Sequence, residues 1–146
     1  DELLKNVTMV SQTTYLFDET IEDNLRIAKP DATQEEIEAA CRMASVHEFI
    51  LSLPDGYKTR VGALGDNLSA GEKQRIGLAR AFLRGSEWIL LDEPTSNVDS
   101  INEGIILKAL QEQKRKKSIL LVSHRESTMA IADRIYRVKD GRMAEI

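Results

Sequence analysis

Two runs of uninterrupted apolar residues, Trp88-Ile-Leu-Leu91 and Ile119-Leu-Leu-Val122, constrain what this chain can fold into. A strand on a half-solvated sheet alternates apolar and polar residues, whereas these runs have the continuous character of strands buried on both faces of a parallel sheet. Between them, the stretch from about Ser100 to Lys114 carries a helical pattern, so strand, helix and strand follow one another as a βαβ unit. Upstream, Val7-Thr-Met-Val10 reads as another short strand, and the polar stretch from Ser11 to Tyr15 makes Gln12 a strand-end residue. The expected architecture is α/β with a mostly parallel sheet.

From Thr20 to about Gly85 the pattern is helical, opening with Ile21 and Leu25 and broken at Pro30. Thr33-Gln-Glu-Glu36 is a capping-box sequence followed by Ile37, Ala40, Cys41 and Ala44 at helical spacing, which places Cys41 in the core. A further helix ends in the turn Pro54-Asp-Gly56, after which Gly62 and Gly65 predict an irregular loop. Ser69-Ala-Gly-Glu72 is a second capping box opening a helix that carries Ile76, Ala79 and Leu83 on one face and stops at Gly85. Ser100-Ile-Asn-Glu103 supplies a third, and a short helix over about 127–132 and a hairpin at Asp140-Gly141 complete the chain. The expected organisation is one partial domain, with 1–17 and 87–146 as an α/β core and 18–86 as a helical subdomain.

Composition narrows the class. With 146 residues, 42 % apolar and 30 % charged, the chain has enough core-forming material for one compact domain. Its apolar runs fall far short of the roughly 20 residues needed to cross a bilayer. The single cysteine excludes an intrachain disulfide and a cysteine metal cluster, which suits a reducing compartment. The first residues, Asp1-Glu-Leu-Leu-Lys-Asn6, lack a signal-peptide pattern and do not begin with Met, so the chain reads as cut from something longer. A net charge of −4 and the position of Lys114-Arg-Lys-Lys117 at a helix C-terminus favour a solvated helix end over a nucleic-acid contact. His47 is read as a surface or half-buried helix residue.

Three segments can carry chemistry. Trp88-Ile-Leu-Leu-Asp92-Glu93-Pro94 ends an apolar strand in two adjacent carboxylates, where one acid can hold a metal ion and the other face a reacting water, or both simply reach solvent. Leu68-Ser-Ala-Gly-Glu-Lys-Gln-Arg75 opens a helix whose unpaired N–H groups attract phosphate, although Glu72 folding back on Ser69 explains the same residues without a ligand. Ser123-His124 puts an imidazole at another strand end, able to touch a terminal phosphate.

Together, and in this order, these segments resemble the ATP-binding cassette (ABC) ATPases over essentially the whole chain. Ser11-Gln12 resembles that family's Q-loop, Leu68-Ser-Ala-Gly-Glu72 its signature motif, and the run from Trp88 to Glu93 its Walker B strand. Ser96-Asn-Val-Asp99 is similar to the D-loop and Ser123-His124 to the H-loop. The stretches from Leu16 to Leu25 and from Leu53 to Gly65 further resemble transporters of the exporter type, in which membrane and ATPase domains often share one polypeptide. The resemblance implies a P-loop NTPase (RecA-like) core with a helical subdomain, bound to ATP and Mg²⁺ at a head-to-tail pair of ATPase domains. By it, Asp92 would help hold Mg²⁺, Glu93 would polarise the attacking water and His124 would contact the γ-phosphate. Gln12 would sense metal and water and link to the membrane domain. Ser69, Ala70, Gly71 and Glu72 would serve a nucleotide held by the opposite domain, and Asp99 would sit at the seam. Such a reaction needs positioning and charge neutralisation more than covalent chemistry.

The chain departs from the family pattern at Ala70, where the first signature glycine usually stands, at Glu72, commonly Gln, and at Ala63, where exporters often carry Glu. None of its eight glycines precedes a lysine, so the GxxxxGK[ST] phosphate loop is absent. The expectation is a domain that begins upstream of Asp1, inactive as it stands, with an incompletely covered sheet whose apolar surface could drive self-association. The implied partners are a second ABC ATPase domain, identical or different, and a transmembrane domain, at the cytoplasmic face of a membrane. A soluble ABC ATPase acting on DNA or ribosomes and a non-catalytic interaction fragment are the competing classes.

Overall fold

The computed structural model describes residues 6–12, 14–64 and 68–146, apart from the side chains of 63 and 64. Three strands, β1 (Val7–Val10), β2 (Trp88–Asp92) and β3 (Ser118–Val122), form one sheet in the order β1-β2-β3, parallel throughout. In register, Val7 stands opposite Trp88 and Ile89 opposite Ile119. The helices are α1 (Ile21–Arg26), α2 (Gln34–Met43), α3 (His47–Leu51), α4 (Val61–Leu64), α5 (Ala70–Arg84), α6 (Ser100–Gln113) and α7 (Glu126–Met129). A separate antiparallel hairpin, β4 (Tyr136–Lys139) with β5 (Arg142–Glu145), closes the chain. Its two-residue turn has positive φ at both Asp140 (53°) and Gly141 (75°), as the Asp-Gly pair requires.

Helix boundaries follow local chemistry. Thr33 forms the complete capping box of α2: its hydroxyl accepts from the Glu36 N–H while the Glu36 carboxylate accepts from the Thr33 N–H. The same helix ends in a Schellman motif, with Val46 N–H donating to Cys41 O at 2.9 Å and Ser45 N–H to Arg42 O at 3.0 Å. Ser45 stands at the left-handed position (φ 59°) that glycine usually fills. Helix α5 does end at a left-handed glycine, Gly85.

One buried cluster runs from the helical block into the sheet, joining Ile21, Leu25, Ile37 and Cys41 to Ile76, Leu78, Ile89 and Leu91. At its centre, α5 is buried almost all round, so its polar side chains need partners. Arg80 has three: Tyr15 O at 2.8 Å, Asn24 O at 3.0 Å and the Asn24 side-chain oxygen at 2.8 Å. Burial holds its guanidinium below the usual arginine range, and the fork of donors fixes the segment ahead of α1 onto α5.

Several expectations are corrected. The strands are not buried on both faces: Ile89 and Leu91 are fully buried, whereas Met9, Trp88, Leu120 and Val122 on the opposite face are each about half exposed. The apolar surface expected on the sheet is therefore present, because the described helices pack on one side of it. His47 is buried rather than superficial, its Nδ1 lying 2.7 Å from the Tyr57 hydroxyl. Gly62 lies within helix α4 and not in an irregular loop; Gly65 falls outside the described residues. The short C-terminal helix occupies Glu126–Met129.

Two outcomes follow. Arg80→Met removes the donor from two backbone carbonyls and one of the two donors from the Asn24 amide oxygen, so it should destabilise the chain by about 2–4 kcal/mol in thermal or denaturant unfolding, and Arg80→Lys should recover little of it. Burial pushes the Cys41 thiol up to about 12, so it should resist thiol reagents at mildly alkaline pH in the folded chain and react fully once denatured.

Candidate functional site

Parallel pairing brings the sequence-distant motifs to one place. All three strands run the same way, so the segments after β1, β2 and β3 emerge along a single carboxyl edge, where ligands of open α/β sheets bind. Gln12 lies exposed two residues past β1, Asp92 closes β2 half-buried, Glu93 follows it, and His124 stands two residues past β3.

Glu93 and His124 meet there. The His124 Nε2 atom is 3.4 Å from Glu93 Oε1; the carboxylate side chain is 16 % exposed and the imidazole 95 % exposed. Backbone geometry sets the carboxylate's position: Glu93 has a φ of 49°, an unusual value for a residue with a side chain, and its N–H donates to Val122 O at 2.8 Å. A left-handed residue directly after a strand turns the chain sharply, and the Glu93 carboxylate faces His124 from that turn. The result is a sheltered carboxylate beside an open imidazole at the sheet edge. Such a pair can orient a water molecule and meet an anionic group from solvent.

A second cluster forms where the N-termini of α5 and α6 abut. Ser69 caps α5, its hydroxyl accepting from the Glu72 N–H at 3.3 Å. The box is only half formed, because the Glu72 carboxylate turns to Arg75 at 4.0 Å instead of back to Ser69. The third expected box is displaced by one residue: Asp99, not Ser100, caps α6, and Asp99 Oδ1 accepts from Asn102 N–H at 2.7 Å. That bond, reinforced by the Asn102 amide, holds the Asp99 carboxyl below the usual range. Gly71 packs against Asn102 so closely that a Cβ there would lie 2.2 Å from the amide carbon. Arg75 completes the cluster by donating to Ser45 O at 2.5 Å, and burial lowers its pKa. Ala70 is exposed on the first turn of α5.

The segment holding Gln12 is fastened to the same helix. Gln74 donates to Ser11 O at 3.4 Å and accepts from the Thr14 hydroxyl at 2.9 Å, while Gly77 leaves room for the Thr14 side chain, which a Cβ would meet at 2.4 Å. Helix α5 therefore touches both the segment after β1, through Gln74, Gly77 and Arg80, and the N-terminus of α6, through Gly71. Lys114 is also not simply solvated, since it donates to Ile131 O at 2.9 Å and pairs with Asp133 at 3.1 Å.

Sequence reasoning missed Asn102, Glu103 and Arg125. Arg125 donates to Thr95 O at 3.0 Å and pairs with Glu103, drawing the segments after β2 and β3 together. The clue available in the sequence was a basic residue directly after a strand-end histidine, but its partner was assigned to a capping box.

Helix propensity favours alanine over glycine, yet Gly71→Ala should destabilise the chain because the methyl displaces Asn102 from Asp99. In an Asn102→Ala background the same change should become neutral or stabilising. Unfolding of the wild type, the two single variants and the double variant should show a coupling on the order of 1 kcal/mol.

The site can be compared with known proteins. The family model described as "ABC transporter" matches residues 1–96. A probable ABC transporter ATP-binding/permease protein of Haemophilus influenzae is 58 % identical over 97 % of this chain, which covers 26 % of that protein. The putative multidrug export ATP-binding/permease protein YgaD of Bacillus subtilis is 46 % identical over 99 % of the chain, covering 25 % of its own length. Multidrug resistance protein pgp-1 of Caenorhabditis elegans is 45 % identical over 99 % of the chain and 11 % of its length. The chain thus spans about a quarter or less of these relatives. With more than half of its residues matched by the family model and its segments on the carboxyl edge of a parallel α/β sheet, the chain belongs to the ABC transporter family, whose ATP-binding domains have the P-loop NTPase fold.

Proposed function

We propose that this chain is the ATP-hydrolysing part of an ABC transporter, in which a head-to-tail pair of such domains couples ATP hydrolysis to transport across a membrane. The observation that carries the reading is the Glu93–His124 pair on the carboxyl edge of the sheet, next to Asp92. In this scheme Glu93 orients and polarises the water that attacks the terminal phosphate, and its sheltered position keeps the carboxylate aimed at one point. The open imidazole of His124 contacts the γ-phosphate. Gln12 reports on the site to a membrane domain through the segment that Gln74 and Arg80 fasten to α5. Of the described residues, 6–12, 14–17 and 87–146 belong to the α/β core and 18–64 and 68–86 to the helical subdomain.

The donor set suits Mg²⁺. Asp92 offers one half-buried carboxylate at the carboxyl edge, and Mg²⁺ characteristically takes one or two carboxylates and fills its remaining positions with water and phosphate oxygens. Asp92 would help hold it, with Gln12 on the same edge sensing the ion and the water. When bound, the ion neutralises phosphate charge, which is chemistry the acidic edge of this chain does not itself provide.

Ser69, Ala70, Gly71 and Glu72 present the N-terminus of α5 to the nucleotide of the opposing domain, and Asp99 lies at the seam. The close fit of Gly71 on Asn102 brings the two surfaces together. The relatives' names supply the transport reading: two are ATP-binding/permease proteins, one of them a putative multidrug exporter. By extension, the partners of this chain are a transmembrane domain and a second ATPase domain, and its place is the cytoplasmic face of a membrane. No helix among the described residues is long and apolar enough to cross it.

In the full polypeptide that carries this sequence, Glu93→Gln should lower ATP hydrolysis by on the order of 10²-fold while leaving nucleotide affinity within about twofold. Steady-state turnover with a parallel binding measurement checks this; wild-type turnover removes Glu93 from its role.

A further inference from the structure

We infer that Arg125 is a positioning residue for the hydrolytic pair: it fastens the segment after β3 to the segment after β2 so that His124 stays against Glu93. The inference rests on the function proposed above, because it concerns the same two side chains.

His124 has little of its own to hold it. Its imidazole is 95 % exposed, and its contact with Glu93 spans 3.4 Å. What keeps the two residues adjacent lies on either side of them. Before the pair, the Glu93 N–H donates to Val122 O at 2.8 Å, continuing the strand pairing by one step. After it, Arg125 reaches across: one guanidinium nitrogen donates to Thr95 O at 3.0 Å and pairs with the Glu103 carboxylate in the first turns of α6. Thr95 is buried, at 1 % exposure, so the anchor is fixed in the protein rather than free in solvent. Arg125 is itself held at its backbone, its N–H donating to the Ser123 hydroxyl at 3.0 Å.

These contacts close a ring: Glu93, Pro94 and Thr95 on one segment, Arg125 and His124 on the other, with the Thr95–Arg125 hydrogen bond and the Glu93–His124 contact as its rungs. Cutting the first rung releases the second, since a surface histidine on a three-residue connection samples many rotamers once its neighbour is untied. Arg suits the post because it stays charged and a single guanidinium nitrogen serves the Thr95 carbonyl and the Glu103 carboxylate together. Glu103 links the ring to α6, so the helix capped by Asp99 and packed on Gly71 shares the fastening.

The test uses the full polypeptide and Mg-ATP, measuring kcat, KM and thermal stability. Arg125→Ala should lower kcat about tenfold or more with KM within about twofold, and in a His124→Ala background it should cause no further loss. Unchanged kcat in Arg125→Ala, or an equal fold loss with and without His124, overturns the inference. Should Arg125→Ala fail to fold, Arg125→Met, which keeps the apolar stem and removes the donors, carries the test: several-fold lower kcat at unchanged KM supports the role, and wild-type kcat overturns it. Glu93→Gln serves as the reference. Wild-type turnover in that variant defeats the hydrolytic reading itself, whereas lost turnover there with an unaffected Arg125 variant defeats only the positioning role.

Discussion

Parallel pairing of β2 with both of its neighbours is the constraint on which the candidate site depends. A parallel arrangement sends every connection back across the sheet, so segments that follow different strands reappear at the same edge. Gln12, Asp92, Glu93 and His124 are separated by up to 112 positions in sequence, and they share that edge because of strand direction alone. An antiparallel placement of β1 or β3 would carry its motif to the far end. The driving force is the burial of Ile89 and Leu91 on one face of the central strand.

Helix α5 turns the sheet edge into a connected structure. Because it is buried almost all round, its buried polar side chains turn to groups inside the protein, and those groups are mostly backbone of the segments packed on it. Gln74 takes Ser11, Arg75 takes Ser45, and Arg80 takes Tyr15 and Asn24. Two glycines extend the same logic by omission: Gly71 admits Asn102, and Gly77 admits Thr14. A helix chosen for burial thereby couples the segment after β1 to the start of α6, and a displacement of α5 would be felt at both.

Much of this was legible in the sequence. The long helices, the Thr33–Glu36 box, the Gly85 stop and the Asp140-Gly141 turn each rest on interactions between residues close in the chain, so local chemistry decides them, and the three strands were legible from their apolar runs although their pairing partners lie far off. The readings that failed involve competition for the same groups, from far along the chain at Glu103 and from within the same helix at Glu72. Glu103 and Glu72 had the right spacing to cap their own helices, but Arg125 and Arg75 attract their carboxylates instead. Asp99 then caps α6, because a carboxylate one residue earlier accepts the Asn102 N–H directly. His47 had the pattern of a surface residue, and only the return of the chain at Tyr57 buries it and supplies its hydrogen bond.

By itself the sequence determined the element types, the membership of the motif set and the residues at each strand end, since periodicity, capping and turn chemistry act over a few residues. Only the tertiary structure decided which of those residues meet: that Glu93 adopts a left-handed backbone and faces His124, that Arg125 ties the two segments, and that one face of the sheet remains open. The physical reason is that side-chain partners and solvent exposure are set by packing between elements far apart in the chain, about which local pattern carries no information.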